Sequence, residues 1–183
     1  MLRVAETRDG VEPYLATADS FFKQALLYTH DQPKYQYNKI LIIGGAHLFP
    51  DAQETFRKAY EYLPVDGVLL LIQRSSVCSI PVWQAMKENP VAGTSVDMFR
   101  SFLERAGFDV TVTIEVGTTK MSKGKWYEKL RRRIFTVLHE CSDEQIEDGL
   151  RELDQEWFPG TKESDLVEIK DNLACFIATK KLH

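Results

Sequence analysis

Short aliphatic runs alternate with longer amphipathic segments along the chain. Residues 39–43 and 68–72 are continuous aliphatic stretches of strand length. This pattern is typical of central parallel strands that helices cover on both faces. Residues 109–116 alternate with a period of two and are rich in β-branched side chains, which predicts a strand with one less buried face.

The C-terminal region predicts the last strand, at residues 173–179, where the side chains are again mostly apolar. The polar residues 170–172 precede it and predict a turn. We therefore expect a short extra strand at residues 165–169 that forms a hairpin with the last strand.

Helical segments with recognisable ends separate these strands. Asp51 is a predicted N-cap with Glu54 three residues later, and Pro64 ends the helix that follows. A second helix runs from about Ser95 to Gly107, which is a suitable residue just beyond a helix end. This order of strands and helices predicts an α/β domain.

Two more helices are predicted between the third and the last strand. Ser122 begins a long helix that continues to Leu138, and Ser142 with Gln145 forms a capping box for the next. We expect a single domain over residues 1–183, with this pair as a helical insertion at residues 120–160. The side chains expected to be buried together there are Tyr127, Leu130, Leu150 and Trp157.

Composition narrows the class of protein. The chain has 183 residues, of which 44% are hydrophobic and 27% charged, so it can bury a substantial core. Its 23 basic and 27 acidic residues give a net charge of −4, which argues against nucleic-acid binding by the whole surface. No apolar run is long enough to span a membrane, and we expect a cytoplasmic protein. Three widely spaced cysteines predict reduced thiols: Cys78, Cys141 and Cys175.

Two sequence motifs resemble those of a known family. Residues 63–72 read Leu-Pro-Val-Asp-Gly-Val-Leu-Leu-Leu-Ile, and residues 102–108 read Phe-Leu-Glu-Arg-Ala-Gly-Phe. They resemble the L-x-P-G-G-x-L-L-L-I and L-x-x-A-G-F motifs of class I S-adenosylmethionine-dependent methyltransferases, especially the type 11 group. The resemblance covers residues 35–183. It implies a partial Rossmann-like sheet, with strands equivalent to 4-5-7-6 of that family, an antiparallel last strand and flanking helices.

The N-terminal segment matches only part of the family's cofactor-binding pattern. The family's glycine-rich loop has no counterpart in residues 1–36, so the chain resembles a methyltransferase with its N-terminal half largely deleted. Glu12 matches a carboxylate that binds the ribose hydroxyls, and Asp19 matches an acidic residue near the adenine amine. The resemblance therefore implies S-adenosylmethionine as cofactor, with weak or absent binding.

The end of the first strand supplies the remaining candidate residues. Gly44 and Gly45 follow that strand, where open α/β sheets bind ligands, and are assigned to the cofactor; alternatively they only let the chain turn. His47 lies where the family often has a histidine near the substrate, and it is the candidate catalytic residue. Alternatively it is an exposed loop histidine, because acid–base catalysis needs a partner. Likewise, Glu12 and Asp19 have an alternative interpretation as solvated loop acids.

Other chemistry receives little support from the sequence. Basic residues at 120–133 could bind an anionic substrate or nucleic acid, but the next helix, at residues 143–156, is acidic. We therefore favour two helices with complementary faces. His139 and Cys141 lack the further ligands that zinc needs, so no metal is expected.

Two functional hypotheses follow. The first is a methyltransferase-like protein that acts on a small molecule, with impaired cofactor binding. The second is a non-catalytic methyltransferase remnant that binds a partner or forms a dimer. In the resembling fold the strand at 39–43 is central, so a bare edge there would need cover from residues 2–5, residues 11–15, a second copy or another protein.

Overall fold

The computed structural model describes residues 7–28, 37–75, 80–88 and 95–181. Four strands alternate with helices along the chain. The elements are α1 (Ala18–Tyr28), β1 (Lys39–Ile43), α2 (Ala52–Tyr62), β2 (Val68–Arg74), α3 (Gln84–Glu88), α4 (Val96–Arg105), β3 (Asp109–Ser122), α5 (Lys123–Arg131), α6 (Asp143–Glu156) and β4 (Leu166–Thr179). Short 3₁₀ turns lie at Ala46–Leu48 and Thr136–Glu140.

The four strands form one sheet in the order β1-β2-β4-β3. Relative to the resembling family this is the order 4-5-7-6, so the predicted strand order is confirmed. Because the described part of the sheet places β1 at one end of this order, its outer edge is not paired with another described strand.

Hydrogen bonds fix the strand directions. At one end of β2 the amide of Asp66 donates to the carbonyl of Lys180, and at the other end the amide of Ser75 donates to Asn172. Residue numbers therefore rise in β2 as they fall in β4, so these strands are antiparallel. This agrees with the antiparallel last strand that the resemblance implied. In contrast, β1 and β2 start side by side, since Val68 N–H donates to the carbonyl of Asn38, and they are parallel.

The chain forms two compact units, and β2, β3, β4 and α4 each contribute to both. The first unit comprises residues 1–70, 101–111 and 177–183, and the second comprises residues 71–100 and 112–176. The predicted single domain with an insertion at residues 120–160 stays a prediction.

In the first unit, side chains form hydrogen bonds with the backbone at both ends of α2. Asp51 caps its N-terminus by accepting a hydrogen bond of 2.9 Å from the amide of Glu54, as predicted. At its C-terminus the ammonium of Lys180 donates to the carbonyls of Tyr60 and Leu63, at 2.8 and 2.7 Å. These bonds satisfy carbonyl groups that a helix end otherwise leaves unpaired.

In the second unit, a cluster of buried side chains joins α5, α6 and residues 80–86. Tyr127, Leu130 and Leu150 are buried in it, as predicted. Trp157 was predicted to join them, but it is 38% exposed, with the ammonium of Lys87 lying 5.0 Å from the centre of its ring. It follows the last turn of α6, where the helical stripe no longer points inward.

The predicted long helix from Ser122 to Leu138 is wrong. The structure ends α5 at Arg131 and places Arg133 in the left-handed region, with φ of 52°. The amide of Ile134 donates to Lys129 and that of Arg133 to Leu130, the bond pattern of a Schellman motif. Because glycine usually occupies this position, its absence hid the helix end from sequence reasoning.

The predicted hairpin at the C-terminus is also wrong. Residues 166–169 and 173–179 belong to one strand, β4, which runs through the expected turn without interruption. Asp171 pairs with Arg74 of β2 at 2.8 Å, and the carbonyl of Asn172 accepts from Ser75. These bonds to β2 keep polar, turn-forming residues extended.

Two segments were candidates to pair with the outer edge of β1. Residues 2–5 lie outside the described residues, and residues 11–15 form no strand. Across the described residues, no helix is long and apolar enough to cross a membrane.

Candidate functional site

The chain turns sharply where β1 ends. Gly44 and Gly45 both have positive φ, 53° and 113°, a conformation that other residues adopt only with strain. A Cβ at either position would meet nothing within 4 Å, so backbone conformation rather than close approach requires glycine here. The turn leads into the 3₁₀ segment, where Ala46 is fully buried and His47 is exposed.

Asp19, the candidate adenine contact, is engaged within the protein. It lies in the first turn of α1, and its carboxylate oxygen is 2.5 Å from the ammonium of Lys58 on α2. The hydrogen bond to Asp19 raises the pKa of Lys58 and outweighs the opposing effect of burial. The Lys58 side chain is largely buried, so this ion pair holds α1 against α2.

Glu12, the candidate ribose contact, is on the exposed segment before α1. Within the described ranges it forms no ion pair. The structure therefore places Gly44, Gly45 and His47 in one turn. It pairs Asp19 of α1 with Lys58 of α2, and Glu12 lies on the exposed segment before α1. Their assigned roles stay predictions.

These residues supply part of a site for S-adenosylmethionine. One oxygen of the Asp19 carboxylate accepts from Lys58, but the side chain is 50% exposed, so the other oxygen can still accept from a ligand. Gly44 and Gly45 have open space around them, which leaves room for a ligand beside their backbone.

A polar cluster in the second unit, in which the buried Lys123 and Tyr127 meet the exposed Asp154, was not predicted from the sequence. The buried ammonium of Lys123, the first residue of α5, lies 2.5 Å from the Asp154 carboxylate and donates to the carbonyl of Thr161 at 2.7 Å. The hydroxyl of Tyr127 donates to the same carboxylate at 2.8 Å. Lysine is rarely buried unless it is paired. Because the partners of Lys123 are more than thirty residues away in the sequence, no local pattern indicated that it would be buried.

Contacts within this cluster shift the pKa values of Asp154 and Tyr127. Burial tends to raise the pKa of Asp154, but the bonds from Lys123 and Tyr127 outweigh it and hold that pKa below its usual range. Burial, together with the bond to Asp154, raises the pKa of Tyr127. The cluster therefore holds an ionised carboxylate between a cation and a phenol, which joins α5 to α6.

Two arginines of the basic stretch are paired with acidic residues of α6. Arg131 contacts Glu147 and Arg133 contacts Asp143, each at 2.6 Å. These pairs bear out the interpretation of two helices with complementary faces. Because the guanidinium groups already have acidic partners, they are less available to an anionic ligand.

A cavity of about 270 Å³ lies beside α6 in the second unit. Its lining combines aromatic, aliphatic, thiol and acidic groups, including Trp83, Met86, Val137, Cys141, Asp148 and Glu152. Both carboxylates have partners within the protein: Asp148 pairs with Arg151, and Glu152 accepts from the amide of Gln84 at 2.6 Å.

Among the described residues, the cysteines and the potential metal ligands form neither a disulfide nor a metal site. Cys141 and Cys175 are free cysteines, as predicted, while Cys78 lies outside the described residues. Within the described ranges, no group of three or more His, Cys, Asp or Glu side chains could hold a metal ion.

No family model and no curated protein matches the chain. Among solved structures it is similar to a putative methyltransferase from Bacillus halodurans, at 15% identity over 82% of this chain and 74% of the other, with a TM-score of 0.47. It is similar to the YcgJ protein from Bacillus subtilis, at 14% identity over 90% and 77%, with a TM-score of 0.46.

A SAM-dependent methyltransferase from Archaeoglobus fulgidus is similar at 14% identity over 96% of this chain and 71% of the other, with a TM-score of 0.46. The fold itself is determined by the sheet: its strand order and its reversed last strand are those that the resemblance to class I methyltransferases implied. The chain therefore has the predicted Rossmann-like α/β fold.

Proposed function

We propose that the chain is a methyltransferase-like protein of the small-molecule type in which binding of S-adenosylmethionine is weak or absent. The observation that carries this proposal is the strand order β1-β2-β4-β3 with β4 reversed, together with the motifs at residues 63–72 and 102–108. Those motifs lie at the start of β2 and at the end of α4, where the resembling family has them.

In this proposal any methyl transfer depends on positioning rather than on a nucleophilic side chain. Gly44 and Gly45 would bring backbone to the cofactor, and Glu12 and Asp19 would accept from its ribose and adenine. His47, which is exposed in the same turn, would face the small molecule that accepts the methyl group.

The expected weakness follows from the sequence of residues 1–36, which has no counterpart of the family's glycine-rich loop. In addition, Glu12 is exposed, and one oxygen of the Asp19 carboxylate is engaged by Lys58. Losing micromolar affinity to reach the millimolar range corresponds to about 4 kcal/mol, which is the scale of several missing hydrogen bonds.

Calorimetric titration of the full chain with S-adenosylmethionine and S-adenosylhomocysteine tests this proposal. We expect a dissociation constant in the millimolar range or no heat of binding. Lys58→Met, which frees Asp19, should tighten any binding several-fold, whereas the exposed control Lys23→Met should not change it. Micromolar binding by the unaltered chain would contradict the proposal.

A second candidate is a non-catalytic remnant that acts through protein contacts. The Asp19–Lys58 pair favours it, since the carboxylate assigned to the cofactor forms an ion pair that joins α1 to α2. Absence of binding in both titrations, for the unaltered chain and for Lys58→Met, would favour this candidate over the first.

A further inference from the structure

The cavity beside α6 contains none of the residues assigned to the cofactor or to methyl transfer. Its volume is about 270 Å³, and all of its lining residues belong to the described part of the second unit. Such a volume corresponds to roughly nine water molecules at about 30 Å³ each. The cavity therefore suits a ligand smaller than a drug-sized molecule, with about nine or ten non-hydrogen atoms.

The floor of this cavity is apolar and aromatic. Trp83 and Met86 line it and are only 5% and 7% exposed, and the buried Gly149 of α6 lies against the indole ring. The half-buried side chains of Val137 and Cys141 complete the apolar lining. An aromatic ring packs favourably both against an indole and against the sulfur of methionine. The floor therefore favours a ligand with a small aromatic body.

The polar lining comes from one side of α6. Gln145, Asp148 and Glu152 are three and four residues apart, so they project in the same direction from the helix. Among the lining residues, all of them described, there is no lysine, arginine or histidine. Because an ionised carboxylate only accepts hydrogen bonds, this side of the cavity favours a ligand that donates them.

Glu152 is the carboxylate whose charge the protein leaves uncompensated. One of its oxygens accepts from the backbone amide of Gln84 at 2.6 Å, and this donor carries no net charge. Within the described ranges Glu152 forms no ion pair, whereas Asp148 is paired with Arg151. The second oxygen of Glu152 can therefore accept from a cationic ligand.

We propose that the cavity beside α6 binds a small aromatic amine in its ammonium form. The ring of the ligand lies against Trp83 and Met86, and the ammonium group donates to the second oxygen of Glu152. An anionic ligand would meet carboxylates without a compensating cation, so the lining discriminates against it. This proposal does not rest on methyl transfer or on the binding of S-adenosylmethionine.

Titration of the ¹⁵N-labelled full chain with phenethylamine, followed by NMR, tests the proposal. Phenethylamine matches the size of the cavity and is an ammonium ion at neutral pH. 2-Phenylethanol has the same shape without the charge, and phenylacetate carries the opposite charge. We expect phenethylamine to bind with a dissociation constant of about 1 mM and the alcohol to bind about ten-fold more weakly. The largest shift changes should occur at the amides of residues 145–152 and at the indole N–H of Trp83.

A charge-removing variant tests the role of Glu152. Glu152→Gln keeps an oxygen that can accept from Gln84 but has no negative charge. It should weaken the binding of phenethylamine about ten-fold and leave that of 2-phenylethanol unchanged. The control Glu144→Gln, at an exposed position of α6 outside the lining, should change neither. Thermal melts followed by circular dichroism should show that both variants are folded.

A second measurement needs no variant. Cys141 lines the cavity, whereas Cys175 lies on β4 and is not part of the lining. Saturating phenethylamine should slow the alkylation of Cys141 by iodoacetamide several-fold and leave the rate at Cys175 unchanged. Mass spectrometry of tryptic peptides measures the two rates separately in the same sample.

Several outcomes would overturn the proposal. Binding of phenylacetate or 2-phenylethanol as tight as that of phenethylamine would show that the charge of Glu152 does not select the ligand, as would unchanged binding by Glu152→Gln. Shift changes centred outside the cavity, or equal protection of both cysteines, would place the ligand elsewhere. Absence of binding well above the expected dissociation constant would mean that the cavity takes no such amine.

Discussion

The backbone of Gly149 lies directly against the indole ring of Trp83. A Cβ at this position would overlap three atoms of the ring, and the ring itself is buried. Gly149 is in the interior of α6, where glycine ordinarily weakens a helix. Its presence there lets residues 80–86 pack closely against α6.

The first prediction reverses the usual rule for glycine in a helix. Helix propensity alone would make Gly149→Ala stabilising by about 1 kcal/mol. Because the added methyl group overlaps Trp83, we expect a net loss of about 1–3 kcal/mol in the free energy of unfolding, measured by urea denaturation. In a Trp83→Ala background the same substitution should become neutral or stabilising. A gain in stability in the unaltered background would contradict the close contact.

The second prediction concerns the centre of the buried cluster. Leu130→Ala and Leu150→Ala each leave a cavity between α5 and α6, so each should cost about 2–4 kcal/mol. Ile134→Ala is the control, since this side chain is 48% exposed and its loss should cost less than about 0.5 kcal/mol. Equal, small effects at all three positions would show that the two helices are not packed together.

The third prediction concerns the turn between α2 and β2. Asp66 has a φ of 62°, and the amide of Gly67 donates to Pro64 at 2.9 Å, as in a turn that favours glycine at its third residue. Asp66→Gly should therefore raise the free energy of unfolding by about 1 kcal/mol. Asp66→Ala, which keeps the strain, should give no gain. A loss of stability with glycine would mean that the aspartate side chain has a role of its own.

The fourth prediction concerns acid stability. The pKa of Asp154 is lower in the folded protein than in the unfolded chain, so the unfolded chain binds more protons in acid. The stabilisation is therefore fully present above the unfolded pKa, about 4, and is lost as pH falls from there through the folded pKa. Asp154→Asn should be less stable than the unaltered chain near neutral pH and should lose less stability on acidification.

Denaturant titrations at several pH values between about 6 and about 2 would measure this difference. Glu156→Gln is a suitable control, because this exposed residue of α6 is outside the cluster with Lys123. Parallel losses of stability in the unaltered chain and in Asp154→Asn would contradict a role for the Asp154 carboxylate.

Sequence reasoning succeeded where the signal was local or where it matched a known pattern. The N-cap at Asp51 and the capping box at Ser142 are both present, because such caps join residues three positions apart. The order of the strands followed from the two motifs that resemble those of methyltransferases.

Sequence reasoning failed where a contact with a residue distant in sequence overrode the local conformational preference. Arg133 adopts a left-handed conformation that its residue type disfavours, and its guanidinium pairs with Asp143 ten residues later. Residues 170–172 stay extended because Arg74 and Ser75, nearly one hundred residues earlier, bind them. No local pattern carries that information.

The sequence by itself determined the α/β class, the positions of most helices and strands, and the candidate residues near the end of β1. Only the tertiary structure decided that Asp19 is paired with Lys58, that Lys123 is buried beside Asp154, and that the aliphatic residues of β1 are exposed. The physical reason is that periodicity records which positions are apolar, whereas burial and ion pairing depend on which distant elements come to lie against them.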